Sequence, residues 1–292
     1  MHVFVTGATG WVGSAVVADL IDAGHRVTGL SRTDDKAAAL AATGATVLRA
    51  TLDDLDALRS AAQAADAVIH TAFSHDFSNI AASAAQDVRA IETLGSALEG
   101  SARPLLVTSG VALLAPGRLG TETDVPPSNP NWPRRSEEAA RALAERGVRA
   151  ASVRLAPSVH GIGDHGFIPI LIRLARDKGV SAYIGDGLNR WPGVHRLDAA
   201  RLYRLVLEQG VTEPAYHAVA DEGVAFKDIA EVIGRQLSVP VESRGPEHFG
   251  WFGSFAGADM PASSARTRSL LGWTPTGPEL LSDIDQPGYY AM

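Results

Sequence analysis

Three glycines at three-residue spacing open the chain, in Thr6-Gly7-Ala8-Thr9-Gly10-Trp11-Val12-Gly13. They follow a short apolar run, Val3-Phe4-Val5, and lead into a helical pattern from Ser14 to Ala23. Strand, glycine turn and helix start together make a phosphate site. The first N–H groups of a helix lack internal partners and carry partial positive charge. Gly7 permits the tight turn, Gly10 lets backbone N–H groups approach a pyrophosphate, and Gly13 lets the helix pack close to the strand. With Thr9, Trp11 and Val12, these glycines form the expected contact set for a dinucleotide.

The elements that must hold such a site are legible in the first half. Short apolar strands near residues 2–6, 26–30, 45–49, 67–70, 104–108 and 149–154 alternate with helical patterns, among them 12–23, 54–63, 83–99 and 135–146. This alternation predicts an α/β fold of Rossmann type, a doubly wound parallel sheet covered on both faces. Residues 116–133 break the pattern with Pro116, Gly117, Gly120, Pro126, Pro127, Pro130 and Pro133, a loop expected at the carboxyl edge of the fifth strand. The later chain is less regular. Residues 1–160 and 194–220 are expected to form the dinucleotide-binding domain, and 161–193 with 221–292 a smaller substrate lobe.

Composition narrows the class. The chain has 292 residues, 46% of them hydrophobic, and no cysteine, which excludes disulfides and thiol chemistry. The first strand begins at once, leaving no room for a signal peptide, and no apolar stretch suits a membrane span. A cytoplasmic location is the expectation. Net charge is −7 and no basic patch interleaves with aromatics, so nucleic acid is not an expected partner. Oligomeric state is left open.

The chain resembles the extended and atypical short-chain dehydrogenase/reductases over nearly its whole length. The glycine motif carries the likeness, with Asp66-Ala67-Val68-Ile69-His70-Thr71-Ala72 as the fourth strand and Leu105-Leu106-Val107-Thr108-Ser109-Gly110 as the fifth. Val153-Arg154-Leu155-Ala156-Pro157-Ser158-Val159-His160-Gly161 matches the sixth strand and its nicotinamide loop. Gly185-Asp186-Gly187 through Val194-His195-Arg196-Leu197-Asp198-Ala199-Ala200 matches a later turn, strand and helix. The resemblance implies an NAD(P)-dependent oxidoreductase with Thr71, Ala72 and Pro157 along the cofactor. The second strand ends in Ser31-Arg32, where NAD-preferring members place an acid. A guanidinium there suits the 2′-phosphate of NADPH, with NADH the second choice. Asp34 and Asp35 lie just beyond and blur that argument. Thr51 stands where the family often has an aspartate for adenine, leaving packing and backbone contacts near Leu52.

The resemblance fails at the catalytic triad of serine or threonine, tyrosine and lysine. No tyrosine precedes Tyr183, and none stands four residues before any of the three lysines, Lys36, Lys178 and Lys227. The alignment puts Pro133 and Glu137 at the lost tyrosine and lysine, and Gly110 at the usual serine, leaving Ser109 as the catalytic candidate. His75, His160 and His165 are candidate replacement acids, although His160 also stands where relatives pack a tyrosine under the cofactor. Phe73, Ser109, Gly110, His160, Phe167 and Trp191 are the expected substrate contacts, and Trp132, Phe249, Trp251 and Phe252 are further aromatic candidates. No three-ligand metal set has sensible spacing.

Within the family, ketoreductases of aromatic polyketide biosynthesis also lack the triad, and the chain resembles them. That likeness implies an aromatic ketone substrate of phenolic, angucyclinone-like type, whose own hydroxyl assists proton transfer. A non-catalytic NADP-binding regulator and a sugar-nucleotide epimerase or dehydratase are the alternatives.

Overall fold

The computed structural model describes residues 1–74, 79–112, 114–126 and 134–291. Strands and helices alternate through the first half: β1 (His2–Thr6), α1 (Trp11–Asp22), β2 (Arg26–Ser31), α2 (Asp34–Ala42), β3 (Thr46–Arg49), α3 (Leu55–Ala64), β4 (Ala67–His70), α4 (Ile80–Ser96), β5 (Pro104–Gly110), α5 (Ser136–Glu145) and β6 (Arg149–Leu155). There follow β7 (Ser158–His160), α6 (Phe167–Lys178), β8 (Ser181–Tyr183), β9 (Arg190–His195), α7 (Arg196–Gln209), β10 (Ala215–Ala218), β11 (Asp221–Ala225), α8 (Phe226–Leu237), β12 (Val241–Ser243), α9 (Gly253–Ala256), α10 (Ala265–Leu271) and α11 (Leu280–Ile284).

Seven strands form one sheet in the order β10-β6-β5-β4-β1-β2-β3. The pairs β1–β2, β1–β4, β2–β3 and β4–β5 are parallel. This is the expected doubly wound arrangement. Its strand order reverses between β1 and β4, and ligands of such sheets sit at the carboxyl ends of the strands beside that reversal. Strands covered on both faces read as continuous apolar runs. All four residues of β4 are accordingly buried, as are the last four of β1.

The described chain divides into two compact units. The first comprises residues 1–109, 128–154 and 200–216; the second comprises 110–127, 155–199 and 217–292. In the first unit, Phe4, Leu58, Ile91, Leu94, Leu105 and Leu143 pack in one fully buried cluster. Helices α4 and α5 approach closely there: a Cβ at Gly95 would lie 2.3 Å from Leu143 Cδ1. Truncating a leucine so enclosed costs about 2–5 kcal/mol. The buried stripe of α4 also carries three polar residues, Ser83, Asp87 and Thr93, and buried polar groups need partners.

The second unit has a three-stranded sheet, β11-β9-β7, and a two-stranded one, β12-β8. Its core forms around Trp191, whose ring centroid lies 5.0 Å from Phe226 and 5.1 Å from Phe255, both edge to face. Residues 194–220 were expected to return to the main sheet. β10 does so at its edge, whereas β9 belongs to the three-stranded sheet. Among the described residues, no helix is long and apolar enough to cross a membrane.

Candidate functional site

The glycine turn is held by backbone geometry that side chains would break. Gly7 has φ +67°, and a Cβ there would come 2.6 Å from both Ala72 N and Thr71 Oγ1. A Cβ on Gly13 would lie 2.1 Å from Gly7 O. Gly10 closes the turn by donating N–H to Gly7 O at 2.8 Å and stands at the N-cap of α1, where no side chain caps the helix. The first turn of α1, with Trp11 and Val12 half-buried, is therefore left to a ligand's acceptors, and the cradle fits a dinucleotide pyrophosphate. Thr71 buttresses the turn from below, donating its hydroxyl to Thr6 O at 2.8 Å. Ala72 packs on the apolar cluster of the first unit, and Thr9 is half-buried in the turn itself.

At the end of β2, Ser31 is buried and turns its hydroxyl to Thr33 O, while Arg32 is exposed. A second guanidinium stands beside them. Arg49, at the end of β3, donates to Ser31 O at 3.2 Å and pairs with Asp34 at 2.8 Å. Thr51 donates its hydroxyl and its N–H to Asp54, and the backbone donor holds that carboxyl below its ordinary value. Leu52 is 8% exposed and its side chain belongs to the core cluster, so only its backbone remains for adenine.

The carboxyl ends of β4 and β5 carry the densest polar group of the first unit. Ser109 donates to Glu137 Oε2 at 3.0 Å. Arg154 grips that carboxylate from beneath, with Nε 2.9 Å from Oε2 and Nη2 2.5 Å from Oε1. Glu137 is thus a charge-compensated acceptor for Ser109. Next to it Arg134 donates from Nη2 to Thr108 O at 2.9 Å and from Nε to Ser136 Oγ at 2.9 Å, and its Cζ lies 4.2 Å from the centroid of the Phe73 ring. Ser136 in turn donates to Asp87. His70 Nε2 is 3.0 Å from the other Asp87 oxygen, and Nδ1 is 2.8 Å from Thr6 Oγ1. Burial works against the Asp87 charge, but hydrogen bonds from His70 and Ser136 and the Arg134 charge outweigh it and hold the carboxyl below its usual range. For Arg134, burial dominates and draws the guanidinium below its usual value, against the pull of Asp87.

The tyrosines of this unit, Tyr203 and Tyr216, have engaged hydroxyls. Thr108 gives its hydroxyl proton to His70 O, so Tyr203, fully buried, donates to Thr108 Oγ1 at 2.7 Å. Burial pushes that phenol well up from its ordinary value. Tyr216 accepts N–H bonds from Thr212 and Glu213.

In the second unit, Gly110 is exposed and spacious: a Cβ there would meet only Leu155 O, at 3.5 Å, and Ala112 N, at 4.0 Å. Pro157 is half-buried between β6 and β7. His160 is fully buried, its Nδ1 2.7 Å from Asp283 Oδ2, which makes it a structural tie rather than an exposed acid. Trp191, Phe249 and Phe252 are core residues, and their burial removes them from a ligand wall. Phe167 is half-buried at the start of α6, 4.7 Å from Phe255 between ring centroids. His165 is exposed, and Trp251 is 69% exposed. His75, Trp132 and Pro133 lie outside the described residues. Sequence reasoning passed over Arg134, Arg154 and Asp87. A charged residue on a buried helical stripe, as Asp87 is on α4, was the available signal.

The profile of the NAD dependent epimerase/dehydratase family matches residues 3–219. An uncharacterised protein of Schizosaccharomyces pombe is 47% identical over 295 residues, covering 99% of this chain and 100% of that protein. A 4-hydroxy-2-methyl-3-oxo-4-farnesyl-3,4-dihydroquinoline-1-oxide ketoreductase of Stigmatella aurantiaca is 29% identical over 190 residues, 61% of this chain and 56% of its own. Among solved structures, a dTDP-glucose 4,6-dehydratase of Streptomyces venezuelae with NAD bound has a TM-score of 0.79 at 20% identity, covering 99% of this chain and 96% of that one; this likeness is one of fold. The chain belongs to the NAD dependent epimerase/dehydratase family and is an NAD(P)-dependent oxidoreductase.

Proposed function

We propose that this oxidoreductase is an NADPH-dependent ketoreductase acting on a small cyclic ketone that carries a hydroxyl beside its carbonyl, a phenolic polycycle of the angucyclinone type being one such substrate. The observation that carries the reading is the bond from Ser109 to Glu137, backed by Arg154, at the carboxyl end of β5. Epimerisation and dehydration of sugar nucleotides need a base to take a hydroxyl proton. Glu137 is a poor one, since its charge is already met by Arg154, and Tyr203 is buried with its O–H engaged. Carbonyl reduction asks less of the side chains, because orientation supplies much of the rate.

The reduced nicotinamide, when bound, supplies the hydride. Gly7, Gly10 and the first turn of α1 would hold its pyrophosphate, and Arg32 with Arg49 its 2′-phosphate. Ser109, having given its own proton to Glu137, offers lone pairs to the substrate's hydroxyl. The proton for the product then comes from that hydroxyl or from water. The Stigmatella relative, named for reduction of a ring system bearing a hydroxyl and an oxo group on neighbouring carbons, supports the substrate class.

NADPH oxidation is measured with 8-hydroxy-1-tetralone, its methyl ether and 1-tetralone. Turnover of the first, with at least tenfold slower reaction of the ether, is expected. Equal rates for phenol and ether overturn substrate assistance, and no oxidation with any ketone overturns the reductase reading.

A further inference from the structure

We propose that Arg134 is the cationic donor that holds the substrate oxygen as it gains negative charge, in place of the phenol that other family members use. The proposal rests on the ketoreductase reading for its reaction, and on the following geometry for its site.

Arg134 is locked in three directions. Nε and Nη2 each bond a fixed acceptor, Ser136 Oγ and Thr108 O, at 2.9 Å. One face of the guanidinium lies against Phe73, 4.2 Å from the ring centroid. Ser136 is itself fixed by Asp87, and Asp87 by His70, so the support runs back to Thr6 on β1. Nη1 has no hydrogen-bond partner among the described residues, and the side chain is only partly buried. A tie between β5 and α5 needs Nε and Nη2 alone. The unspent donor, held without rotamer freedom, is what a preorganised anion site requires.

Its place fits. Thr108 O is the carbonyl of the peptide that leads into Ser109, so the guanidinium is bonded to the peptide that carries the Ser109 acceptor. Phe73 follows β4 and Thr108 lies two residues before the end of β5, and in the sheet β4 stands between β5 and β1, which carries the glycine turn. An acceptor and a cationic donor side by side match a hydroxyl next to a carbonyl: the hydroxyl donates to Ser109 Oγ and the carbonyl oxygen accepts from Arg134 Nη1. In the reaction, hydride from the reduced nicotinamide forms a C–H bond at the carbonyl carbon and the C=O π pair moves to oxygen. The guanidinium keeps its proton and stabilises the alkoxide, which then takes a proton from water or from the adjacent hydroxyl. Arginine suits this role because it remains charged throughout.

The test uses salicylate, whose carboxylate and adjacent hydroxyl mimic that pattern, titrated calorimetrically into the full chain saturated with NADP+. Arg134→Met is expected to weaken salicylate by about ten- to a hundredfold, the loss of a charge-assisted bond, while NADP+ affinity stays close to the parent's and the thermal midpoint falls, because Thr108 O and Ser136 lose a donor and Asp87 a compensating charge. Arg134→Lys, which keeps the charge without the fork, is expected to lie between. With 8-hydroxy-1-tetralone, Arg134→Ala should lose kcat more than KM, and added guanidinium chloride, but not urea, should restore part of it. Absence of salicylate binding to the parent, or equal binding to parent and Arg134→Met, overturns the proposal. If salicylate binding depends on Arg134 but no ketone is reduced, the anion site stands and the ketoreductase reading falls.

Discussion

Ser109 donates its hydroxyl proton to Glu137 across 3.0 Å, and this fixes what the hydroxyl presents to a ligand: lone pairs, with the proton facing inward. A serine so engaged orients a substrate but does not deliver a proton. Ser109→Ala should therefore keep measurable activity, with kcat down by about tenfold, or ~1.4 kcal/mol in the barrier. Complete loss of turnover with intact NADPH binding would show that Ser109 itself transfers the proton.

Arg32 follows β2 and Arg49 ends β3, and cofactor preference should respond to each. The parent is expected to bind NADPH more tightly than NADH, and Arg32→Ala should remove about 1–3 kcal/mol of that preference. Fluorescence titration of both cofactors decides it. Equal affinities in the parent protein would sink the NADPH assignment.

The glycines make opposite predictions. Gly13→Ala places a methyl 2.1 Å from Gly7 O, so the turn must open, and dinucleotide binding should be lost. Gly110→Ser meets only ordinary contacts and should leave the thermal midpoint within about 2 °C of the parent, the effect of less than 1 kcal/mol. A Gly13→Ala protein that binds NADPH normally would refute the cradle.

Asp87 should give the fold an acid sensitivity. Its carboxyl lies below its ordinary value because the bonds from His70 and Ser136 and the Arg134 charge exceed the opposing effect of burial. A depressed carboxyl contributes stability that is complete above about pH 4 and fades as pH falls toward its folded value. Asp87→Asn should cost about 1–3 kcal/mol at pH 7 and much less at pH 3, read from urea midpoints. A gap of the same size at both pH values contradicts the charge-based account.

His160→Ala is expected to act on stability. The imidazole is fully buried, with Nδ1 2.7 Å from Asp283 Oδ2, and its removal leaves that buried oxygen without its imidazole partner, while Gln286 still bonds the other oxygen, at a cost of about 1–3 kcal/mol. A lower thermal midpoint with kcat retained at 20 °C is the expected pair of results; a normal midpoint with no activity would return His160 to the chemistry.

The sheet was readable because strands covered on both faces leave short apolar runs, and six of them, from Val3-Phe4-Val5 to the run ending at Leu155, appear in sequence order. The glycine turn was readable for the same local reason. Glu137 was visible only as an absence, the place assigned to a missing lysine, and Arg134 only as the residue after Pro133. Their role depends on Arg154, on another strand, and on Thr108, whose carbonyl type is common to every residue. Trp191 shows the converse error. An aromatic after an irregular stretch looks like a ligand wall until Phe226 and Phe255 are seen closing around it.

The ties of α11 and the tyrosine after it set an order of assembly during synthesis. Asp283 bonds His160, and Tyr289 donates to Asp164 and accepts from Gly161, across separations of 123, 125 and 128 positions. At translation rates of about 5–20 residues per second, the turn after β7 leaves the ribosome on the order of ten seconds before its partners. In that interval His160 and Asp164 lack these partners, while β1, α1 and β2 already have each other. The dinucleotide cradle can therefore form on a nascent chain whose second unit is still open. A cofactor captured at that stage would give chaperones and proteases a half-built protein that is already liganded.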